Sequence, residues 1–306
     1  MLKYGIEIIQ RLDRGILGGK YQCSFPVTLD SISYEVSIVQ LVIRKVSITT
    51  GDNVDFDLDV LIEIFNKLDM LIMLGEGQFI PIEESKIITN GVASESDVLK
   101  SKIETRCKMF NSADFTIGSH STFLSFEKYI DESMFIRWTE MLNELDILHH
   151  MVLYSMSDTG MTVDFKSALL IESFEALSEL IEKHDTFKLP EVKRGESKLQ
   201  KYLCAIIKQY GVDIFSAEIN SNLERICHVF VNSRNRIAHI KTKQNREYLN
   251  AEESALYAVK MSFLYRSILL ILLGVDYSLY SKAIKESIDG CDRWNNTLNS
   301  FLAKIK

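Results

Sequence analysis

The sequence predicts an α+β fold in which a β-rich, mixed N-terminal domain (residues 1–130) precedes an all-α helical bundle (residues 131–306). The run Tyr34–Thr49 is rich in β-branched residues and partly alternates between apolar and polar side chains, which is typical of strands. From residue 132 onward, apolar residues recur at helical spacing instead. A length of 306 residues is sufficient for two domains of ordinary size.

The first 130 residues begin with strands and then combine helix and strand. Their patterns predict, in order, strands up to a turn at Gly51-Asp52-Asn53, a helix over Asp57–Leu74 ended by Gly75 and Gly77, and short strands at Phe79–Ile82 and Lys86–Thr89. Residues 92–128 favour neither helix nor strand. The sequence therefore predicts a mixed domain with a boundary near residue 130.

The remaining residues predict a series of helices. Apolar spacing, Pro190, Gly195 and Gly211 place helices at Glu132–Ser155, Asp164–His184, Ser197–Tyr210 and Ala217–Asn232. Asn250 with Glu253 three residues later forms a capping-box pattern, which opens a long helix that runs to Gly274. Two shorter helices, over residues 278–288 and 293–305, complete the bundle.

Composition places the protein among soluble globular proteins. Hydrophobic residues make up 46% and charged residues 25% of the chain, which is enough apolar content for a sizeable core. The five cysteines are odd in number and share no short spacing, which favours reduced thiols over a disulfide framework or a zinc site. The N-terminus lacks the features of a signal peptide, and the apolar run Ser267–Val275 is too short to span a bilayer. We therefore expect a cytoplasmic protein with no membrane partner.

The stretch Val229–Lys241 places polar residues between two apolar flanks. If it is helical, Asn235 and His239 are four residues apart and share a face, as do Arg236 and His239 at a separation of three. Arg234 lies five residues from His239, roughly 140° around the axis. Arg234 must therefore precede the helix, reach round it with its long side chain, or serve a neighbouring subunit.

The same region is a basic patch on an acidic protein. Residues 225–246 contain no Asp or Glu, although the whole chain has a formal net charge of −7. A local cationic patch of this kind indicates an anion held at one place. The residues that we predict to bind RNA are Arg225, Arg236, Lys241, Lys243 and Arg246.

Arg234, Asn235 and His239 together suit phosphodiester cleavage. Histidine can transfer a proton near neutral pH, arginine can stabilise the charge that develops on phosphate oxygens, and an amide can orient the imidazole. The 2′-hydroxyl of RNA can supply the nucleophile, so the sequence predicts neither a metal site nor a cofactor. The competing interpretation is structural: Arg234 and Arg236 form a solvated face and His239 is a satisfied core histidine.

The hexapeptide from Arg234 to His239 resembles the Arg-Asn-x-x-x-His form of the R-x(4–6)-H motif of HEPN domains, a superfamily of helical ribonucleases. The chain most resembles the ApeA-like branch, in which a mixed or β-rich domain precedes the HEPN domain. Phe135–Trp138 is similar to the family's Trp-containing segment, and Leu170–Leu177 to its glutamate-bearing first helix. On this alignment Glu175 is the polar residue expected to face the motif, ahead of Glu172.

The resemblance implies roles for these residues and a biological setting. His239 would transfer protons, Arg234 would bind the phosphate and transition state, Asn235 would orient them, and Glu175 would support the site. Two motifs would meet in a homodimer that cleaves RNA, with tRNA as the expected substrate, in anti-phage defence or toxin-like shutdown of translation. A phage-derived trigger and a sensing role for the N-terminal domain follow from the same resemblance.

Two non-enzymatic alternatives stay open at this level. The first is a HEPN interaction or nucleotide-binding module in which Arg234 and His239 hold a nucleotide or the dimer. The second is a protein partner of a nucleotidyltransferase.

Overall fold

A computed structural model describes residues 4–11, 21–29, 31–40, 43–50, 57–77, 79–106, 122–145, 147–156, 161–239 and 246–305. These residues fall into two compact units, the first within residues 1–115 and 125–141 and the second within residues 116–124 and 142–306. The units divide at residues 141 and 142, whereas the sequence placed the domain boundary near residue 130. The predicted α+β class is confirmed, with a β-rich region before a helical one.

The first unit contains a six-stranded antiparallel sheet. Its strands are β1 (Tyr4–Arg11), β2 (Tyr21–Leu29), β3 (Ile32–Gln40), β4 (Ile43–Thr50), β5 (Ile82–Thr89) and β6 (Val92–Glu95). They pair in the order β2-β3-β4-β1-β5-β6. The prediction of strands over the first 50 residues is confirmed where the structure describes them, and the predicted turn at residues 51–53 lies outside the described residues.

The strand register places the apolar residues of β1, β3 and β4 on one face of the sheet. Ile48 of β4 lies opposite Ile6 of β1 and Val36 of β3, and all three are fully buried. Directly opposed residues share a face because side chains alternate along a strand. Helix α1 (Leu58–Glu76) packs against β1 and β4. The sheet and this helix therefore enclose the core of the first unit.

The ends of α1 are set by local residues, and the helix continues two residues beyond the predicted Leu74. Asp57 caps the N-terminus by accepting a hydrogen bond from the Asp59 amide at 2.8 Å. Gly77, with φ of 80°, ends the helix in the left-handed conformation that glycine adopts without a steric cost.

Two details of the first unit differ from the prediction. Residues 79–81 are not part of a strand, and the single strand β5 begins at Ile82, because Pro81 has no amide proton to give to the sheet. Asn90 and Gly91, with φ of 55° and 79°, join β5 to β6 in a tight hairpin that the sequence analysis left unassigned. Helices α2 (Asp97–Arg106) and α3 (Glu132–Leu145) follow in the chain.

The second unit is helical. Its elements are α4 (Ile147–Met156), α5 (Val163–His184), α6 (Lys198–Tyr210), α7 (Ser216–Ile219), α8 (Leu223–Ala238), α9 (Ala251–Leu272), α10 (Ser281–Cys291) and α11 (Asn295–Ile305). Helix α5 packs against α4, α6, α8 and α9. The site-bearing helix α8 therefore lies against α5 and α6 within one bundle.

Two predicted helices proved to be pairs. The single helix expected over Glu132–Ser155 is α3 followed by α4. The helix expected over Ala217–Asn232 is α7 followed by α8, because Asn222 accepts a hydrogen bond from the Arg225 amide at 3.2 Å and starts a new helix. Helix α8 then continues to Ala238, six residues beyond the predicted end, and so contains most of the motif.

Helix α9 forms the centre of the bundle. The capping box is confirmed, since Asn250 accepts from the Glu253 amide and the Glu253 carboxylate accepts from the Asn250 amide, each at 2.9 Å. By length and composition alone α9 could cross a membrane, but 83% of its most apolar stretch is buried inside the protein. Its apolar character is therefore explained by packing, which is consistent with a soluble protein.

Candidate active site

The motif lies at the C-terminal end of α8. Arg234 and Asn235 are in the last turns of the helix, and His239 is the residue that caps it. The His239 amide still donates to the Asn235 carbonyl oxygen at 3.2 Å, so the helical spacing continues to the cap. The exposed imidazole is thereby carried at the helix end, four residues beyond Asn235.

Arg234 contacts α5. Its Nε and Nη2 donate to the two carboxylate oxygens of Glu172, and its Nη1 donates to Asn235 Oδ1 at 2.7 Å. The Arg234 side chain is 19% exposed and that of Glu172 is 37% exposed, so the pair is only partly shielded from water. Arg234 lies within α8 and not in a turn before it, and its side chain extends to Glu172.

The guanidinium retains donors after these contacts. It carries five N–H groups, of which the Glu172 carboxylate takes two and the Asn235 amide oxygen takes one. Within the described part of the chain, these contacts leave one N–H group on each terminal nitrogen available to a further anion. A planar guanidinium fixed by a carboxylate on one edge is suited to binding phosphate on another.

Asn235 contacts Arg234 in this structure. Its Oδ1 accepts the Arg234 hydrogen bond, whereas the prediction had the amide orient the imidazole. Among the described residues, the His239 side chain has no hydrogen-bond partner. The amide therefore holds the cation, and the histidine stays open to solvent.

The carboxylate that faces the motif is Glu172, and the prediction of Glu175 is corrected. Glu175 lies 3.7 Å from Lys198 Nζ, on a part of α5 that contacts α6. Both glutamates are on α5 and three residues apart, so their directions differ by roughly 60° around the axis. Sequence reasoning chose between them without the packing of α5 on α8, which is what decides the contact.

The predicted RNA-binding cations have different surroundings. Arg225 is already paired, because its Nη2 donates to Glu247 Oε1 at 2.6 Å and its Nη1 to the Ile305 carbonyl at 3.1 Å. This hydrogen bond from Arg225 lowers the pKa of Glu247 below its ordinary value. Arg246 is exposed. Lys241 and Lys243 lie outside the described residues.

Arg236 contacts an aromatic ring. Its guanidinium carbon lies 5.4 Å from the centroid of the Tyr248 ring, and its side chain is exposed. The geometry is that of a cation–π pair.

Residues 246–250, here called the 246–250 segment, are anchored to α8. The Leu249 amide donates to Ser233 Oγ at 2.8 Å, and that hydroxyl donates in turn to the Val229 carbonyl at 2.8 Å. Leu249 is buried, with 5% of its surface exposed. The segment therefore returns to the helix one residue before Arg234.

Within the described parts of the chain, no group of three or more His, Cys, Asp or Glu side chains is arranged to hold a metal ion. The thiols of Cys23, Cys204 and Cys227 are free.

One comparison with known proteins found a match. Residues 159–279 match the family model described as Apea-like HEPN. Over these residues the chain is similar to HEPN domains, which are generally ribonuclease-like and act in defence. The matched model is that of the Apea-like branch, so the predicted resemblance is confirmed.

The matched residues run from before α5 to the end of the turn that follows α9, and they include the whole of α8. Phe135–Trp138, which the resemblance paired with the family's Trp-containing segment, lies outside them. Trp138 belongs instead to the first unit, where its Nε1 donates to the Lys67 carbonyl at 2.7 Å. No curated protein and no solved structure matches the chain.

Proposed function

We propose that the protein is an endoribonuclease that cleaves RNA by transesterification without a metal ion. One observation carries this proposal: Arg234 is fixed by Glu172 and Asn235 with two N–H groups to spare, and His239 is exposed at the end of the same helix. Both residues lie inside the segment that matches the Apea-like HEPN family. A preorganised cation and a titratable imidazole are the two groups that this reaction needs most.

The chemistry follows from these groups. The 2′-hydroxyl oxygen attacks the adjacent phosphorus, and the bond from phosphorus to the 5′-oxygen breaks, leaving a 2′,3′-cyclic phosphate and a 5′-hydroxyl. His239 accepts the proton of the 2′-hydroxyl or supplies one to the departing 5′-oxygen. The two free N–H groups of Arg234 stabilise the charge on the non-bridging oxygens. In a homodimer, two copies of the motif meet, so a second histidine performs the other proton transfer.

The substrate that we propose is RNA, with tRNA as the first class to test. The protein is acidic overall, with a formal net charge of −7, so RNA should bind at the cationic end of α8 and its affinity should fall as salt is raised. Since Arg225 is paired with Glu247, the cations proposed for RNA binding reduce to Arg236 and Arg246, with Lys241 and Lys243 beside them in the sequence. A cytoplasmic role in anti-phage defence, with a phage-derived trigger, is the biological setting that we propose.

The decisive experiment compares wild-type protein and His239→Ala on total tRNA in the presence of EDTA. Loss of a proton-transfer group should lower the cleavage rate by about 10²- to 10⁴-fold. His228→Ala is the matched control, because His228 is also an exposed histidine of α8, and its side-chain hydrogen bond among the described residues is to Gln200, at 3.2 Å. The fragments should carry cyclic phosphate ends.

A wild-type cleavage rate in the His239→Ala protein would contradict the proposed mechanism. So would fragments that end in 5′-phosphate, because transesterification leaves the 5′-oxygen as a hydroxyl. Cleavage that requires added Mg²⁺ would exclude the metal-independent reaction.

The Glu172–Arg234 pair also favours a second candidate, a non-catalytic interaction module. A carboxylate of the same unit already neutralises Arg234, so the motif could be retained for structure or association. In that case Arg234→Ala should change the association state, as measured by light scattering, and no form of the protein should cleave RNA. Cleavage by the wild type that is lost in His239→Ala would exclude this candidate.

A further inference from the structure

Tyr248 is held in place by the residues on either side of it. On one side, Glu247 forms a two-point contact with Arg225, at 2.6 and 3.3 Å. On the other side, Leu249 is buried and its amide is bound by Ser233. The backbone on either side of Tyr248 is therefore anchored before any ligand binds.

The ring of Tyr248 lies beside an exposed cation near the motif. The guanidinium carbon of Arg236 is 5.4 Å from the centroid of the Tyr248 ring. Arg236 is three residues before His239, so both side chains leave the end of α8 on the same side. In the part of the chain that the structure describes, Tyr248 is half-buried and Arg236 is exposed, so the pair is accessible to a ligand on its exposed side.

A planar cation next to an aromatic ring is a suitable surface for a nucleobase. Unpaired bases stack on Tyr and on Arg guanidinium planes, and this contact needs no base-specific hydrogen bond. We propose that Arg236 and Tyr248 form a stacking subsite for an unpaired base beside the phosphate that is cleaved. This inference rests on the proposed ribonuclease function and narrows its substrate to RNA that is single-stranded at the cut.

The charge of the protein makes such a subsite useful. A chain with a formal net charge of −7 gains little from non-specific attraction to phosphate, so affinity must come from a few local contacts. In a duplex both faces of each base are already stacked, and a paired base cannot reach the subsite. The subsite therefore selects loops and other unpaired regions over helical RNA.

The test measures binding separately from cleavage. The probes are a fluorescein-labelled 2′-O-methyl adenosine oligonucleotide of roughly ten nucleotides and the same backbone without bases. Neither probe can be cleaved, because the 2′-oxygen is blocked. Fluorescence anisotropy gives the Kd of each probe, and the ratio of the two Kd values isolates the contribution of the bases from that of the phosphates.

Wild-type protein should bind the adenosine probe about tenfold more tightly than the abasic backbone, which corresponds to about 1.4 kcal/mol. Tyr248→Leu should remove this preference, and Tyr248→Phe should retain it because the ring is kept. Tyr202→Leu is the matched control, since Tyr202 is also half-buried and lies beside a cation, with Lys198 Nζ 5.4 Å from its ring centroid. This variant should keep the preference.

Several results would overturn the subsite. For the wild type, these results are equal affinity for both probes or no binding of the adenosine probe at all. For the variants, they are a base preference that is unchanged in Tyr248→Leu, or one that Tyr202→Leu lowers as much as Tyr248→Leu does. A base preference that depends on Tyr248, in a protein that never cleaves RNA, would instead keep the subsite and reject the nuclease. Cleavage that depends on His239, in a protein with no base preference, would keep the nuclease and reject the subsite.

Discussion

The contact between Glu172 and Arg234 makes a prediction that can be measured in the folded protein. Glu172→Gln keeps the size of the side chain and removes the charge that holds the guanidinium at Nε and Nη2. Exposed ion pairs contribute about 0.2–1 kcal/mol, whereas hydrogen bonds to charged groups contribute about 1.5–3 kcal/mol. The side chains of Glu172 and Arg234 are 37% and 19% exposed, so the pair lies between these two cases. We therefore expect Glu172→Gln to lower the free energy of unfolding by about 1 kcal/mol.

Thermal unfolding measures this loss. For a domain of about 150–250 residues, 1 kcal/mol corresponds to a decrease in Tm of about 2–4 °C. Glu175→Gln is the matched control, because Glu175 is on the same helix, has a side-chain exposure of 38% and lies 3.7 Å from Lys198. This control should leave Tm within about 1 °C of the wild type, since a single exposed pair contributes little.

A double-mutant cycle with Arg234→Gln isolates the pair itself. The coupling energy between the two substitutions should be about 1 kcal/mol. Equal effects of Glu172→Gln and Glu175→Gln, or a coupling energy near zero, would refute the assignment of Glu172 as the partner of Arg234.

Glu172→Gln should also change the kcat and KM of RNA cleavage in a way that a merely structural role would not. Without Glu172 the guanidinium is less well oriented, so kcat should fall, about tenfold if the lost orientation costs about 1.4 kcal/mol in the transition state. Removing a negative charge beside the phosphate should at the same time tighten RNA binding and lower KM. A fall in kcat with a rise in KM would indicate general destabilisation instead.

Two further predictions concern stability. Burial raises the pKa of Asp69 to about 6, so the folded protein binds this proton more tightly than the unfolded chain, and the stabilisation of the first unit should fall as pH rises from about 4 to 6. Asp69→Asn, which keeps an oxygen for the Gln10 amide now 3.0 Å away, should remove this pH dependence and raise Tm at pH 7. Ser233→Ala should leave the Leu249 amide without its partner, which costs about 1–2 kcal/mol, and should speed hydrogen exchange at that amide.

Each of these two predictions has a contrary outcome. An unchanged slope of Tm against pH in Asp69→Asn would show that another group is responsible for the pH dependence. Unchanged exchange at Leu249 in the Ser233→Ala protein would show that the 246–250 segment is held by its other anchors.

Several features of this protein were determined by short stretches of sequence. The capping box of Asn250 and Glu253 involves residues three apart, and the end of α1 depends on Gly77 alone, so both could be predicted. The motif from Arg234 to His239 was equally visible, and its family was confirmed. The hairpin between β5 and β6 was also within reach, because Asn90-Gly91 is a strong signal for a two-residue turn.

Other features depended on packing. The choice of Glu172 over Glu175 joins residues 62 apart in the chain, and the neutralisation of Arg225 by Glu247 joins residues 22 apart. Periodicity assigns both glutamates to a helix but does not say which side of that helix meets α8. The cation–π contact between Arg236 and Tyr248 likewise depends on the return of the chain to Ser233.

The physical reason is the range of the interactions. Capping, turn formation and helical spacing act between residues a few positions apart, so the sequence alone determined α1, α5, α6 and α9, the sheet-forming region and the position of the motif. The partner of a long charged side chain is determined by which helices pack together, because Arg234 can reach any carboxylate within several ångströms of its helix. Only the tertiary structure decided that this carboxylate is Glu172.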